Sequence, residues 1–319
     1  MSIEIHTSIE FQDLSKDSVP DLKRYVESLI VYEAAGFESI VEFGEYISSN
    51  NLNFIVPLRD RLDLSKDLRY NSSLIRSYVS IVKDVDGFFG WIHTPSGPAD
   101  DAIHQNGLLD GSSLLRQLDS QHILISEIRN EWLSYTDFLS KISDVIALDV
   151  TGFKPQALNF MIPDLINRLE QKPLWIKLPK DISEEDYKYM VHVSLLAGVK
   201  GIIYPSAMYS SSTARDTFLK INEYVKMLGN MVNNPISVIQ DVKPDFIKVA
   251  YGIFNELGYL ALANFSESSV KFEVKFSKKI GVFADGLYRG IRVPVKGKKK
   301  IEDVIEPRGI ELYEIHTRW

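Results

Sequence analysis

The chain has 319 residues, enough for one large domain or two, and its 45% hydrophobic and 25% charged residues are typical of a globular protein. It contains no cysteine, which excludes disulfides, thiol nucleophiles and cysteine-ligated metals. The net charge of −7 argues against a nucleic-acid groove, and no apolar run approaches the ~20 residues of a membrane helix.

The start of the chain, MSIEIHTSIEF, lacks the basic and apolar segments of a secretory signal. We therefore expect a soluble, cytoplasmic protein, although a chain trimmed of a leader would begin in the same way. We expect no nucleic-acid and no membrane partner, and the oligomeric state is not specified by the sequence.

Short apolar runs rich in Ile, Val, Leu or Phe predict strands that are buried on both faces. They cover residues 3–7, 39–43, 53–58, 87–93, 123–127, 145–150, 173–179 and 201–206. The segments between them carry apolar residues at helical spacing. One of these helices is predicted over 18–37, with Ser18 as its cap, Pro20 in the first turn and Gly36 at its end.

Strands that alternate with helices predict a (β/α)8 barrel. The alternative is an open, doubly wound parallel sheet, which usually carries a glycine-rich phosphate loop after its first strand. The stretch SIEIHTSIEF contains no such loop, so the barrel is favoured.

The pattern changes near residue 235 to short strands separated by turn residues. The stretch SVKFEVKF (269–276) alternates apolar and polar residues, as expected of an antiparallel strand with one buried face. The sequence thus predicts a barrel over 1–234, closed by a helix over 213–232, and a β-sandwich over 235–319.

Several stretches resemble the large retaining (β/α)8 superfamily of glycoside hydrolases, whose barrels often end in a small β-sandwich. DGFFGWIH is similar to its fourth strand, KPLWIKLP to its seventh, and AGVKGIIYP to the passage into its eighth. LALANFSESSVKFEV and IEPRGIELYEI resemble strands of its C-terminal sandwich. The resemblance implies this architecture and action on a carbohydrate.

The same resemblance implies an acid/base Glu after strand four and a nucleophilic Glu at the end of strand seven. His93 and Lys177 stand near those positions. No acid occurs between Asp86 and Asp100, and none lies in 173–180. The two catalytic glutamates of the superfamily therefore cannot be carried over to this chain.

Other carboxylates at strand ends are the candidates for catalysis, because barrel chemistry sits at the C-terminal ends of the strands. Glu127 and Asp149 end neighbouring strands and form the first candidate pair, with Asp60 in reserve. Glycoside hydrolysis needs one carboxylic acid and one carboxylate. Alternatively, Glu127 forms an ion pair with a basic neighbour such as Lys177, and Asp149 caps a loop.

Further strand-end residues are candidates for contact with the substrate, since sugars stack on aromatic rings and bind to a few polar groups. These candidates are Glu42, Trp91, His93, Trp175, Lys177 and Tyr204. Strand alternation leaves open whether the two tryptophans face the pocket or pack under helices.

The loop over 94–111 is expected to rim the mouth of the barrel. His93 and His104 lie near Asp100 and Asp101, but their spacing matches no metal motif. We therefore expect no metal and no cofactor.

The sequence predicts a glycoside-hydrolase-like protein that acts on or binds a carbohydrate at the C-terminal mouth of the barrel. The rival interpretation is a catalytically inactive barrel that serves as a carbohydrate-binding or structural interaction protein. A third is an enzyme of unrelated chemistry that uses Lys177 as a Schiff-base or electrostatic group.

Overall fold

A computed structural model describes residues 6–14, 16–33, 39–59, 61–233 and 238–317. Eight parallel strands form a closed barrel in sequence order, and β8 pairs with β1 to complete it. The strands are β1 (His6–Asp13), β2 (Ser28–Glu33), β3 (Asn53–Arg59), β4 (Phe88–His93), β5 (Ile123–Ile128), β6 (Val145–Asp149), β7 (Leu174–Lys177) and β8 (Gly201–Pro205). The predicted barrel is confirmed, and the open sheet is excluded.

Helices cover the outside of the barrel, and four of them begin at a capping side chain. The Ser39, Asp67, Asp101 and Ser183 side chains each accept a hydrogen bond from a first-turn backbone N–H. The helices are α1 (Val19–Leu22), α2 (Ile40–Ser49), α3 (Leu68–Val82), α4 (Ala102–Leu118), α5 (Thr136–Ile142), α6 (Leu158–Arg168), α7 (Glu184–Ala197) and α8 (Ser212–Asn233).

The first two strands differ from the sequence prediction. The predicted strand over 39–43 is mostly the start of α2, and the helix predicted over 18–37 instead contains β2. β2 is hydrogen-bonded to β1 on one side and to β3 on the other. Burial of Ser28, Leu29 and Ile30 within the barrel sheet therefore outweighs the helical spacing of the apolar residues in this segment. β1 also runs past residue 7, to Asp13.

Side chains that point into the barrel fill its N-terminal half. An apolar layer contains Ile30, Ile55, Ile92, Ile125, Val145, Ala147, Trp175 and Ile203. At the N-terminal end the ring of His6 stacks between Phe89 and Trp175, with centroid distances of 4.6 and 4.7 Å. The next inward positions along the strands lie above this filling, at the C-terminal mouth.

The C-terminal part forms two antiparallel sheets around a second core, which confirms the predicted β-sandwich. One sheet has the order β10-β11-β16-β13-β14 and the other β15-β12-β9. Their strands are β9 (Ile239–Lys243), β10 (Ile247–Phe254), β11 (Leu257–Asn264), β12 (Val270–Phe276), β13 (Phe283–Gly286), β14 (Ile291–Pro294), β15 (Lys300–Ile305) and β16 (Ile310–His316).

The sandwich is joined to the barrel helices by buried hydrogen bonds. The Asn159 amide donates to the carbonyl of Asn264 over 3.0 Å, and His192 Nε2 lies 3.0 Å from the carbonyl of Leu262. Tyr189 donates to the carbonyl of Arg308 over 2.7 Å. Among the described residues, no helix combines the length and apolarity that crossing a membrane requires.

Candidate functional site

The C-terminal ends of the barrel strands surround a cavity of about 800 Å³, which we call the mouth cavity. Its floor includes Glu10 of β1, Glu127 of β5 and Lys177 of β7. A second cavity of about 930 Å³ adjoins it and shares Glu10 and Lys177. The strand ends therefore present charged groups to a space large enough for a small ligand.

Strand alternation explains why these three side chains meet. Ile125 on β5 and Trp175 on β7 point into the barrel, so Glu127 and Lys177, two residues further on, point inward above them. Lys177 Nζ donates to Glu127 Oε2 over 2.9 Å and also contacts Glu10 Oε2. One ammonium thus bridges carboxylates from opposite sides of the barrel.

The electrostatics of this cluster follow from burial and from mutual charge. Burial raises the pKa of Glu127, the neighbouring charges of Glu10 and Asp149 add to the rise, and Lys177 opposes it. Burial alone would lower the pKa of Lys177, but the carboxylates of Glu127 and Glu10 outweigh it and the pKa is raised. Lys177 therefore stays a cation, while Glu127 holds a proton more readily than an ordinary glutamate.

Tyr32 and Arg59 form the wall of the mouth cavity on the β2 and β3 side. Burial raises the pKa of Tyr32, and the charges of Glu10 and Glu127 raise it further, so its hydroxyl remains a hydrogen-bond donor. The guanidinium carbon of Arg59 lies 5.3 Å from the centroid of the Tyr32 ring, in a cation–π contact.

Asp149 lines the second cavity at the end of β6. Its Oδ1 accepts a hydrogen bond of 2.9 Å from the backbone N–H of Thr151, and its Oδ2 lies 3.6 Å from Nε of Arg129. The structure thus contains the pairing of Glu127 with Lys177 and the loop contact of Asp149 that the alternative interpretation described. Both carboxylates nevertheless face cavities.

The loop after β4 rims the mouth cavity, as expected, through residues 94–99. It is shorter than the predicted 94–111, because α4 begins at Ala102 with Asp101 as its cap. Trp132, an aromatic residue from the 3₁₀ turn Asn130–Tyr135 after β5, also lines the cavity, and its ring lies 5.5 Å from that of His104 in α4.

Two candidates from β4, Trp91 and His93, lie on the outer face of the barrel. Ile92 faces the barrel interior, so Trp91 and His93 on either side of it face the helices. Trp91 is fully buried, and its Nε1 donates to Asp119 over 2.9 Å. His93 is buried against Ser126, and burial lowers its pKa to about 3. Neither side chain lines the mouth cavity, which corrects the placement expected from the sequence.

Trp175, Tyr204 and Glu42 also lie away from the mouth cavity, where the sequence had predicted them. Trp175 faces inward but belongs to the apolar layer, where its ring stacks on His6 near the N-terminal end of the barrel. Tyr204 points outward and packs on Phe218 with ring centroids 4.7 Å apart. Glu42 belongs to α2 rather than to a strand, and it forms an ion pair with Lys16 at 3.1 Å. Asp60 lies outside the described residues.

Several residues that line the cavities were not among the candidates from the sequence, including Glu10, Tyr32, Arg59, Arg129 and Trp132. Glu10 and Tyr32 were missed because β1 was ended at residue 7 and β2 was taken for a helix. A usable signal was the stretch IEF, in which Glu10 stands between the outward-facing apolar residues Ile9 and Phe11.

In sequence, this chain matches no protein-family model and no characterised protein. In structure, it is similar to a maltogenic α-amylase, AmyB from Thermotoga neapolitana. That comparison has a TM-score of 0.57 and 12% identity, and covers 99% of this chain and 100% of that one. A β-L-arabinopyranosidase from Geobacillus stearothermophilus gives a TM-score of 0.58 at 11% identity, covering 98% of this chain and 96% of that one.

A third solved structure, described as a glycoside hydrolase, gives a TM-score of 0.62 at 11% identity and covers 98% of this chain and 93% of that one. In all three comparisons the match extends over both the barrel and the sandwich. The protein therefore has a glycoside-hydrolase-like fold, a (β/α)8 barrel followed by an antiparallel β-sandwich. At these identities the likeness concerns the fold alone, and any activity has to be argued from the residues of the mouth.

Proposed function

We propose that the protein binds a carbohydrate at the mouth of the barrel and hydrolyses a glycosidic bond there. The observation that carries the proposal is the convergence of Glu10, Glu127 and Asp149 on adjoining cavities, with the pKa of Glu127 raised. Glycoside hydrolysis requires this combination of a protonated carboxyl group and an ionised one. Trp132 and Tyr32 add aromatic surface, and Arg59 and Thr94 add polar groups, as in sugar-binding pockets.

In this proposal Glu127 is the proton donor. Its protonated carboxyl group transfers a proton to the glycosidic oxygen as the bond from that oxygen to the anomeric carbon breaks. Asp149 is the ionised partner, because it lies near enough for its charge to raise the pKa of Glu127. Water then supplies the hydroxyl group of the new anomeric centre, and the second proton of that water restores the carboxyl group consumed in the first step.

Glu10 and Lys177 have a positioning role in this scheme. The cation of Lys177 holds the Glu127 carboxyl group through a hydrogen bond of 2.9 Å, and Glu10 compensates the charge of Lys177 from the other side. The raised pKa of Lys177 disfavours the Schiff-base alternative, because a protonated amine is not a nucleophile.

The second candidate function is carbohydrate binding without hydrolysis. The same ion cluster favours it, because Lys177 contacts Glu10 and Glu127 at once and satisfies both carboxyl groups within the protein. A barrel of this kind would bind a sugar in the mouth cavity and leave it intact.

The deciding experiment measures turnover of a panel of aryl glycosides and oligosaccharides by wild type, Glu127→Gln and Asp149→Asn. We expect each variant to lose about 10²–10⁴-fold in kcat, the range for loss of a positioned acid or base. Asp137→Asn is the control, because Asp137 is exposed and pairs with Arg168 away from the cavities. Full activity of both Glu127→Gln and Asp149→Asn would show that these two carboxyl groups are not the catalytic pair. Wild-type binding without any turnover, measured by calorimetry, would support the non-catalytic function.

A further inference from the structure

A third cavity, of about 260 Å³, lies beside the mouth cavity and is lined by two arginines, Arg59 and Arg61. We call it the arginine cavity. Its other lining residues are Val31, Tyr32, Ile40, Phe43, Phe54, Ile55, Val56, Pro57 and Tyr78. None of the lining residues that the structure describes is an acid. The arginine cavity therefore presents positive charge above an apolar floor.

Both guanidinium groups are oriented by tyrosines. That of Arg59 lies over the ring of Tyr32 at 5.3 Å, and that of Arg61 lies 5.6 Å from the ring of Tyr78. Arg61 Nη1 also donates to the Tyr78 hydroxyl over 2.9 Å. Within the part of the chain that the structure describes, neither arginine forms an ion pair. Stacking positions the guanidinium planes and leaves their N–H groups able to bind an anion.

The backbone at Arg59 adds an independent observation. Its φ of 53° is in the left-handed region, which residues other than glycine seldom adopt. The pairing of β3 with β4 shifts register between Pro57 and Arg59, so a bulge re-aims the end of the strand. A strained backbone conformation of this kind persists where the surrounding contacts hold it in place. Such strain is concentrated at ligand-binding sites.

The arginine cavity adjoins the proposed catalytic site, because Tyr32 and Arg59 line both it and the mouth cavity. Lys177, the cation at the floor of the mouth, is already compensated by Glu10 and Glu127. Arg129, Lys154 and Lys180 line the second cavity, so among the residues that the structure describes Arg59 and Arg61 are the two cations that can recognise a negative charge on the β3 side of the mouth.

We propose that the ligand is an acidic carbohydrate, and that Arg59 and Arg61 bind a carboxylate or sulfate group on the sugar next to the one held in the mouth cavity. This inference rests on the proposed function and specifies its substrate class. Guanidinium groups bind planar carboxylates and sulfates through paired N–H···O bonds, which neutral sugars do not offer.

The test compares calorimetric binding of oligogalacturonate, a sulfated galactan oligosaccharide and a neutral galactan oligosaccharide of equal length. The proteins are wild type, Arg59→Gln, Arg61→Gln and the control Arg215→Gln. Arg215 is the matched control, because its guanidinium also stacks on a tyrosine, Tyr209 at 5.2 Å, but lies outside these cavities.

We expect wild type to bind at least one of the two acidic ligands about 10-fold or more tightly than the neutral one. Each cavity variant should lose that advantage and retain the wild-type thermal unfolding midpoint. Arg61→Gln should also keep its affinity for the neutral ligand, because Arg61 lines the arginine cavity and not the mouth cavity. Arg215→Gln should behave as wild type. The stronger of the two acidic ligands identifies the group as a carboxylate or a sulfate.

Equal affinity for acidic and neutral ligands, or an acidic preference that survives both cavity substitutions, would overturn this inference and leave the proposed function standing. Absence of binding by all three ligands, together with absence of turnover on the glycoside panel, would overturn both. Binding of the neutral ligand thus distinguishes failure of this inference from failure of the proposed function.

Discussion

Lys177 Nζ donates a hydrogen bond to Glu127 Oε2 over 2.9 Å while it also contacts Glu10, which lies across the barrel from Glu127. The three side chains are 13%, 2% and 11% exposed in the order Lys177, Glu127 and Glu10. Buried charges of this kind are stable only as a set, because each compensates the desolvation of the others. The cluster is therefore both a structural element of the barrel and the floor of the proposed site.

Replacement of Lys177 by Met should destabilise the protein strongly. It leaves two buried carboxyl groups without their cation, and breaking a buried ion pair costs about 3–5 kcal/mol. The loss is measured by urea unfolding at pH 7. Lys188→Met is the control, because Lys188 pairs with Glu184 near the surface, and such pairs contribute about 0–1 kcal/mol. An equal effect of the two substitutions would contradict this account of the cluster.

Two buried histidines should make the protein sensitive to acid. Burial lowers the pKa of His93 and of His192 to about 3 in the folded protein, whereas the unfolded value is near 6.5. Below pH 6.5 the unfolded chain binds protons that the folded one does not, so stability falls as the pH falls toward 3. Each histidine contributes a slope of about 1.4 kcal/mol per pH unit in this window.

The measurement is the free energy of unfolding at pH 7, 6 and 5, together with the imidazole ¹³C shifts of the folded protein. We expect His93 and His192 to remain neutral at pH 5 in the native spectrum. Titration of His93 or His192 near pH 6 would refute the prediction for that residue.

Gly111 should not tolerate even a methyl group. A Cβ atom at this position of α4 would lie 1.7 Å from the carbonyl oxygen of Leu62. Gly111→Ala should therefore cost at least about 1–3 kcal/mol through overpacking, although alanine favours helices by about 1 kcal/mol elsewhere. Thermal or urea unfolding tests this, with Ser113→Ala on the exposed face of α4 as the control. A neutral Gly111→Ala would show that α4 lies further from the segment after β3.

Trp91 and Trp132 should respond oppositely to replacement by Phe. Trp91→Phe removes the 2.9 Å hydrogen bond to the buried Asp119, and we expect a loss of about 1–3 kcal/mol in stability with no change in carbohydrate affinity. Trp132 lines the mouth cavity, so Trp132→Phe should weaken carbohydrate binding. Urea unfolding and calorimetry of both variants provide the comparison. Weaker binding by Trp91→Phe at unchanged stability would contradict the outward placement of this residue.

The sequence by itself determined the alternation of apolar strands and amphipathic helices, and with it the barrel, because burial on both faces requires continuous apolar runs such as those of β5 and β6. It also determined the sandwich, since the alternating residues of β12 need one buried and one exposed face. Glu127, Asp149 and Lys177 could be placed at the mouth from the sequence, because catalytic residues of a barrel lie at the C-terminal ends of its strands, and all three line the cavities there.

Only the tertiary structure decided which side chains enter the barrel and at which height. Register settles this, because a shift of one residue exchanges the inward and outward faces, and Ile92 rather than Trp91 or His93 faces inward. Closure of β8 onto β1 brings Glu10 to Lys177, although 167 positions separate them in the chain. β2 became a strand because β1 and β3 provide hydrogen bonds on both of its edges, and those partners are absent from any local stretch of sequence.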